Sequence, residues 1–208
     1  MIHHNKESVK KVYDATFEQF GRDARALHWH NTDSQQLRYE VLTRRIDFQN
    51  KSVMDIGCGF GDFRIYLEAH GIHTQEYLGL EINDNFVNGA KEKLAGLSNV
   101  TIRQFDLKNI ESLTDHYDVT VMVGVFHHCG VQAPEIYDLL YRTIDHLRLI
   151  SNEVAIMLTS NQSTWPKNDS YVYLDPVIIL STVLSKYPES VLLDHSYFSK
   201  EFLLLVNA

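Results

Sequence analysis

The chain reads as an α/β protein: seven strands in a mostly parallel sheet, helices on both faces, and an antiparallel hairpin at the C-terminal end. Three observations predict this. From Ser52 onward, short apolar runs of β-type residues alternate with helix-period stretches, the pattern of repeated strand–helix–strand units. The last two apolar runs, residues 191–197 and 202–206, lie too close together for a crossover helix and must pair antiparallel. No repeat, low-complexity tract or Pro/Ser-rich linker interrupts the 208 residues. A single domain over 1–208 is therefore expected, with 1–48 as an N-terminal helical lid and 49–208 as the core.

Each element has its own signal. Residues 5–20 carry Val9, Val12, Tyr13, Phe17 and Phe20 at helical spacing, and Gly21 ends that helix. A polar stretch with Leu27, His28, Trp29 and His30 leads into a second helix, with Asp33 or Ser34 as the expected N-cap and Leu37, Val41 and Leu42 as its apolar positions. Strand one spans 53–56 and is followed by a helix over 63–69 that Gly71 closes. Strand two spans 76–81, and the helix after it, 85–94, has Gly96 just past its end. Residues 100–105 and 119–123 form strands three and four. The helix over 134–149 opens on Pro134, whose fixed φ suits a first turn. Strand five is 153–158, and Pro176 starts the helix over 176–187 in the same way as Pro134.

Composition narrows the class. A hydrophobic share of 44% with 22% charged residues is ordinary for a globular protein. Acids outnumber bases 27 to 19, for a net charge of −8, and no Lys/Arg block appears. Phosphate-backbone binding needs clustered positive charge, so nucleic acid is disfavoured as a partner. A small-molecule substrate is favoured, with a protein substrate next. The first eleven residues are polar and no apolar run approaches the ~20 needed to cross a bilayer, so no leader and no membrane association are expected. Two distant cysteines, Cys58 and Cys129, have no metal-ligand partners at useful spacing. A reducing, cytoplasmic setting and no metal site follow as expectations.

The most informative segment is 53–63. An apolar run ends in Asp55, and Gly57, Gly59 and Gly61 follow at alternate positions, with Cys58 between the first two. This is a buried strand feeding a turn whose backbone comes close to a ligand. A dinucleotide loop, G-x-G-x-x-G, would place its third glycine one position later, and a P-loop would continue with Gly-Lys-Ser/Thr. Asp62, at the start of the next helix, would repel a pyrophosphate. Two further acids, Glu81 and Asp106, close strands two and three. Ligands of doubly wound sheets sit at these strand ends.

The D-x-G-x-G-x-G pattern resembles motif I of class I S-adenosylmethionine-dependent methyltransferases, which have a Rossmann-like core. The pattern of Leu27–Trp29, S-Q-x-x-R at 34–38, G-C-G-x-G-D at 57–62, Asp175-Pro176 and a terminal hairpin resembles a group of bacterial and archaeal members of that family. The resemblance implies S-adenosylmethionine as cofactor, S-adenosylhomocysteine as product, and transfer to a small-molecule O or N acceptor. It places the methionine part of the cofactor on Asp55, Gly57, Cys58 and Gly59. It assigns the ribose hydroxyls to Glu81, and the adenine to Asp106 and the Leu107 backbone with Ile82 or Phe86 against its face. It puts the Gly124 carbonyl at the cofactor's amino group. Arg38 has the planar guanidinium suited to the cofactor's carboxylate. Trp29 and Phe126 are candidate walls of the substrate pocket.

Strand four exits through Phe126-His127-His128, where other members of the group show a different dipeptide. Either histidine is a candidate general base, with pocket lining as the alternative role. A non-catalytic cofactor-binding module and a NAD-type oxidoreductase are the alternative functions.

Overall fold

The computed structural model describes residues 6–127, 135–167 and 171–208. Its strands form one seven-stranded sheet in the order β3-β2-β1-β4-β5-β7-β6. The chain divides into two compact units, Asn5–Leu107 and a second that contains Lys108–Ala208.

In the first unit, α1 (Lys6–Phe20), a 3-10 turn (Ala24–Leu27) and α2 (Thr32–Arg45) precede β1 (Ser52–Ile56), α3 (Asp62–Ala69), β2 (Glu76–Glu81), α4 (Asp84–Lys93) and β3 (Val100–Gln104). β1 and β2 pair in parallel with Asp55 opposite Gly79, and β2 pairs β3 with Glu81 opposite Gln104. β1 is buried on both faces from Val53 onward, as its continuous apolar run requires. β3 ends the sheet, and it exposes Thr101, Arg103 and Gln104.

α1 stops at Gly21, whose N–H returns to the Phe17 carbonyl. The polar stretch after it is a 3-10 turn capped by Asp23, an element the apolar spacing did not announce. The N-cap of α2 is Asn31, not Asp33 or Ser34. Asn31 accepts from the Ser34 N–H while the Ser34 hydroxyl accepts from the Asn31 N–H, a reciprocal cap that starts the helix earlier than its apolar residues do.

Apolar packing joins these helices to the glycine loop. Ala26, Phe60 and Phe86 form a buried cluster against which Tyr13, Phe17, Phe20 and Leu27 pack. The Phe60 and Phe86 rings meet edge to face at 4.8 Å. Phe86 is thus a core residue, 1% exposed, and its ring is engaged by protein rather than offered to an adenine face. Polar ties reinforce the docking of α1. Asp14 accepts from the side-chain amides of Asn83 and Asn85, Lys10 pairs with Asp84, and the Thr16 hydroxyl donates to the Ala26 carbonyl.

In the second unit a 3-10 segment (Leu107–Ser112) leads to β4 (Tyr117–Val123), α5 (Glu135–Ile150), β5 (Ser151–Thr159), α6 (Pro176–Lys186), β6 (Val191–Asp194) and β7 (Glu201–Asn207). β4 and β5 are parallel, while β5–β7 and β6–β7 are antiparallel. The terminal hairpin is therefore present. Its first strand stops at Asp194 rather than 197, because the Asp194 carboxylate accepts from the N–H and hydroxyl of Ser196 and turns the chain. Asp175 caps α6 by accepting from Val177 and Ile178 N–H, with Pro176 in the first turn. The expected start of the preceding helix, Pro134, lies outside the described residues, as do Cys129 and His128.

Candidate functional site

The glycine loop leaves β1 with Gly57, Gly59 and Gly61 all at positive φ. Gly59 shows why the residue type matters: its φ is +54°, and a Cβ there would meet Leu27 Cδ1 at 2.8 Å. Two loop N–H groups, of Gly57 and Cys58, donate to the Leu80 carbonyl at 2.7 and 3.1 Å. Gly61 N–H closes the turn onto the Cys58 carbonyl at 2.8 Å. These amides tie the loop to β2 and close its turn.

Glu81 is the clasp of this arrangement. One carboxylate oxygen accepts from Gly59 N–H at 3.0 Å, and the other accepts from Ile82 and Asn83 N–H at 2.7 and 2.9 Å. An ionised carboxylate offers about four acceptor positions, so three backbone donors leave one for a ligand. Burial raises the Glu81 pKa, opposed by those same backbone donors.

Asp55 is held differently. Its partner is the Tyr77 hydroxyl, and among the described residues no lysine or arginine pairs with it. Burial pushes its pKa up to about 7, Tyr77 pulls it down, and the neighbouring Glu81 and Asp62 charges add to the rise. Asp62, in the first turn of α3, accepts from Gln35 Nε2 at 3.2 Å and pairs with Lys93. Cys58 is buried, and burial together with the Asp55 and Glu81 charges pushes its thiol up and disfavours the thiolate.

Asp55, Tyr77, Gly79 and Glu81 share one face, because paired residues of a parallel ladder point the same way and alternate along the strand. Tyr77 was missed in the sequence, although its position two and four residues before Gly79 and Glu81 carried the signal. Gly79 leaves room for Cys58, whose sulfur would lie 2.9 Å from a Cβ there. Gln35 was likewise missed. It is 3% exposed and links Tyr39 and Asp62, with Tyr39 pushed well up by burial.

Among the remaining candidates of this unit, Ile82 is half-buried beside Glu81, and Asp106 is half-buried just after β3. Leu107 is buried. Phe105 N–H donates to the Glu81 carbonyl at 2.8 Å, which ties the end of β3 to the end of β2. Arg38 is buried, donates to the Ser34 carbonyl, and lies 5.1 Å from the Trp29 ring. The residues expected to serve cofactor and substrate separately are therefore stacked together.

In the second unit, Gly124 takes φ +80° just past β4. Phe126 is 1% exposed. The His127 N–H donates to the Gly124 carbonyl, and its own carbonyl accepts from Val172 N–H at 3.0 Å. Its ring stacks near Tyr171 at 6.2 Å. Among the described residues no cluster of His, Cys, Asp and Glu could hold a metal ion, and no helix is long and apolar enough to cross a membrane.

Comparison with known proteins finds the same architecture. A methyltransferase-domain family model matches residues 54–148, from β1 into α5. Rv1506c of Mycobacterium tuberculosis, whose name carries a provisional methyltransferase assignment, is 28% identical over 159 residues, 75% of this chain and 92% of that protein. Cyclopropane-fatty-acyl-phospholipid synthase of Escherichia coli is 28% identical over 57% of this chain, which spans only 30% of that enzyme's length. Among solved structures, the DhpI complex with SAM and HEP superposes with a TM-score of 0.70 at 17% identity, covering 100% of both chains. Magnesium protoporphyrin IX methyltransferase from Synechocystis with bound SAH gives a TM-score of 0.66 at 18% identity, covering 98% of this chain and 100% of that one. These likenesses show the fold: the chain has the architecture of the methyltransferase structures on which it superposes.

Proposed function

We propose that the chain is an S-adenosylmethionine-dependent methyltransferase that acts on a small-molecule O or N acceptor and releases S-adenosylhomocysteine. The observation that carries this reading is the pair of buried carboxylates at the ends of β1 and β2 on one face with the glycine turn. Among the described residues no Lys or Arg pairs with Asp55, and Glu81 keeps one acceptor position open. A ligand bearing an ammonium and a sulfonium together with ribose hydroxyls fits that set of acceptors. A dinucleotide pyrophosphate fits poorly, because Asp62 stands at the helix start and the Gly57, Cys58, Gly59 and Gly61 amides are already engaged by Leu80, Glu81 and Cys58. The match of a methyltransferase-domain model over 54–148 supports the same reading.

In this assignment Asp55 receives the positive end of the methionine part and Gly57, Cys58 and Gly59 shape the turn around it. Glu81 accepts from the ribose. Asp106 and the Leu107 N–H meet the adenine beside Ile82, the Gly124 carbonyl takes the amino group, and Arg38 takes the carboxylate. Bound cofactor supplies a methyl group already activated by a sulfonium. The protein's part is to align the acceptor in line, exclude water and, where the acceptor holds a proton, remove it. His127 or His128 serves as that base, and Trp29 lines the acceptor's pocket, with the buried Phe126 ring as packing behind it. Residues 1–208 act as one domain, with 1–48 as its helical lid, as in the bacterial and archaeal group whose motifs the chain carries.

Calorimetry with S-adenosylhomocysteine and with NAD tests the cofactor assignment: binding of the first alone is expected, and binding of NAD alone would overturn it. Labelled methyl transfer to a metabolite extract separates an enzyme from a non-catalytic module. His127→Asn is expected to keep the cofactor affinity and lower turnover by about a hundredfold or more. Undiminished turnover would remove His127 as the base.

A further inference from the structure

The second unit carries a polar cluster, formed where β5 ends and β7 begins, that the cofactor assignment leaves unused. Thr159 and Glu201 are direct partners across the antiparallel β5–β7 ladder, so their side chains stand side by side on one face of the sheet. Both are buried, at 6% and 5% exposure. The Thr159 hydroxyl is buried without a hydrogen-bond partner among the described residues, an arrangement proteins seldom leave unfilled.

The segment 171–174 closes over the same strand end. Leu174 N–H donates to the Thr159 carbonyl at 2.8 Å, and Val172 N–H donates to the His127 carbonyl at 3.0 Å. This brings Tyr171 against the His127 ring and within the electrostatic reach of Glu201, whose charge helps to raise the Tyr171 pKa after burial and Tyr173. Tyr171 therefore stays a neutral phenol, with an oxygen that can accept a hydrogen bond.

Two rings of the flanking segments already carry lysine ammonium groups. Lys200 Nζ lies 4.1 Å from the Trp165 ring centre and Lys167 Nζ lies 5.5 Å from that of Tyr173. Two of the chain's own ammonium groups thus rest on the aromatic faces of this region.

We propose that Glu201, Thr159 and Tyr171 form an ammonium-binding site, and that the methyl acceptor is a primary amine anchored there by its –NH₃⁺ group. A protonated primary amine presents three N–H donors. A buried carboxylate, a buried threonine hydroxyl and a neutral phenol supply three acceptors, and the carboxylate supplies the countercharge. An acceptor anchored by a carboxylate or phosphate would place its charge against Glu201 and be rejected. The amine is the anchoring group, a statement separate from which atom is methylated. The proposal rests on the methyltransferase reading only in naming the ligand as the acceptor.

The test is calorimetric titration, with and without S-adenosylhomocysteine, using 2-phenylethylamine, 2-phenylethanol and phenylacetate, and butylamine, butanol and butyrate. At neutral pH the amine of at least one set should bind tenfold or more tightly than its alcohol and carboxylate. Glu201→Gln should reduce that preference to less than twofold while S-adenosylhomocysteine affinity stays within twofold. Amines that bind no better than their alcohols, or a preference that survives Glu201→Gln, would overturn the site. Should the Gln variant fail to fold, Thr159→Val carries the test, with a threefold or greater loss of amine affinity expected and no loss refuting the site. S-adenosylhomocysteine binding without amine preference sinks this proposal alone. Amine preference without S-adenosylhomocysteine binding sinks the ligand's identity as a methyl acceptor.

Discussion

The ends of β1 and β2 each bury one carboxylate, and the two regions hold their acids in opposite ways. At the end of β2, Glu81 gathers three backbone N–H groups from the glycine loop and the following turn. At the end of β1, Asp55 meets a single phenol, and its pKa rises to about 7. The first acid is a structural clasp whose charge is dispersed over fixed dipoles. The second is held by one phenol and takes up a proton far more readily than a free carboxylate. A cofactor with a positive centre would complete the second and merely use what the first has left open.

The comparison breaks first at Glu81. Glu81→Ala strands three backbone donors, and at about 1 kcal/mol or more for each the loss should reach about 3 kcal/mol in urea unfolding. S-adenosylhomocysteine binding should fall with it. A stable variant with weak binding would make Glu81 a ligand contact only, and a stable variant with intact binding would remove both roles.

Asp55 gives the next effect. Its folded-state pKa lies above the ordinary 3.8, so the folded chain holds a proton that the unfolded chain has released. Its contribution to stability is therefore largest below about pH 4 and is lost as pH rises through about 7. Between pH 8 and 5.5 it amounts to about 2 kcal/mol in favour of the acid side. Asp55→Asn should flatten that part of the stability–pH curve and stabilise the cofactor-free protein at pH 8. An unchanged curve would show that Asp55 is ionised throughout.

Gly59→Ala follows, through the left-handed backbone that glycine alone adopts freely. About 1–2 kcal/mol of destabilisation is expected, with further loss if Leu27 fails to move aside, and thermal unfolding measures it. The smallest effect belongs to Tyr77→Phe. It removes one hydrogen bond, about 1 kcal/mol, and should move the Asp55 transition to higher pH, because Tyr77 is the group pulling it down. A transition moved lower would reverse the assigned role of the phenol.

The clasp itself was only half legible beforehand. Asp55, the three glycines and Glu81 stand out because local rules (a strand, a tight turn, an acid at a strand end) identify them one at a time. That Glu81 bonds to Gly59, 22 residues away in sequence, depends on the register of β1 against β2, which no local pattern encodes. Phe86 shows the converse. Its position after an acidic strand end looked suited to a ligand face, but α1 and Phe60 enclose it.

Sequence by itself determined the order and type of the strands and α-helices, the antiparallel finish and the glycine–acid turn, because each rests on side-chain periodicity or backbone freedom within a few residues. Tertiary structure decided which donors each acid meets. It paired Tyr77 with Asp55, joined Gln35 to Asp62, and set Thr159 beside Glu201. Hydrogen bonds and desolvation act through space over a few ångströms, and only the folded chain brings residues so distant in sequence within that range.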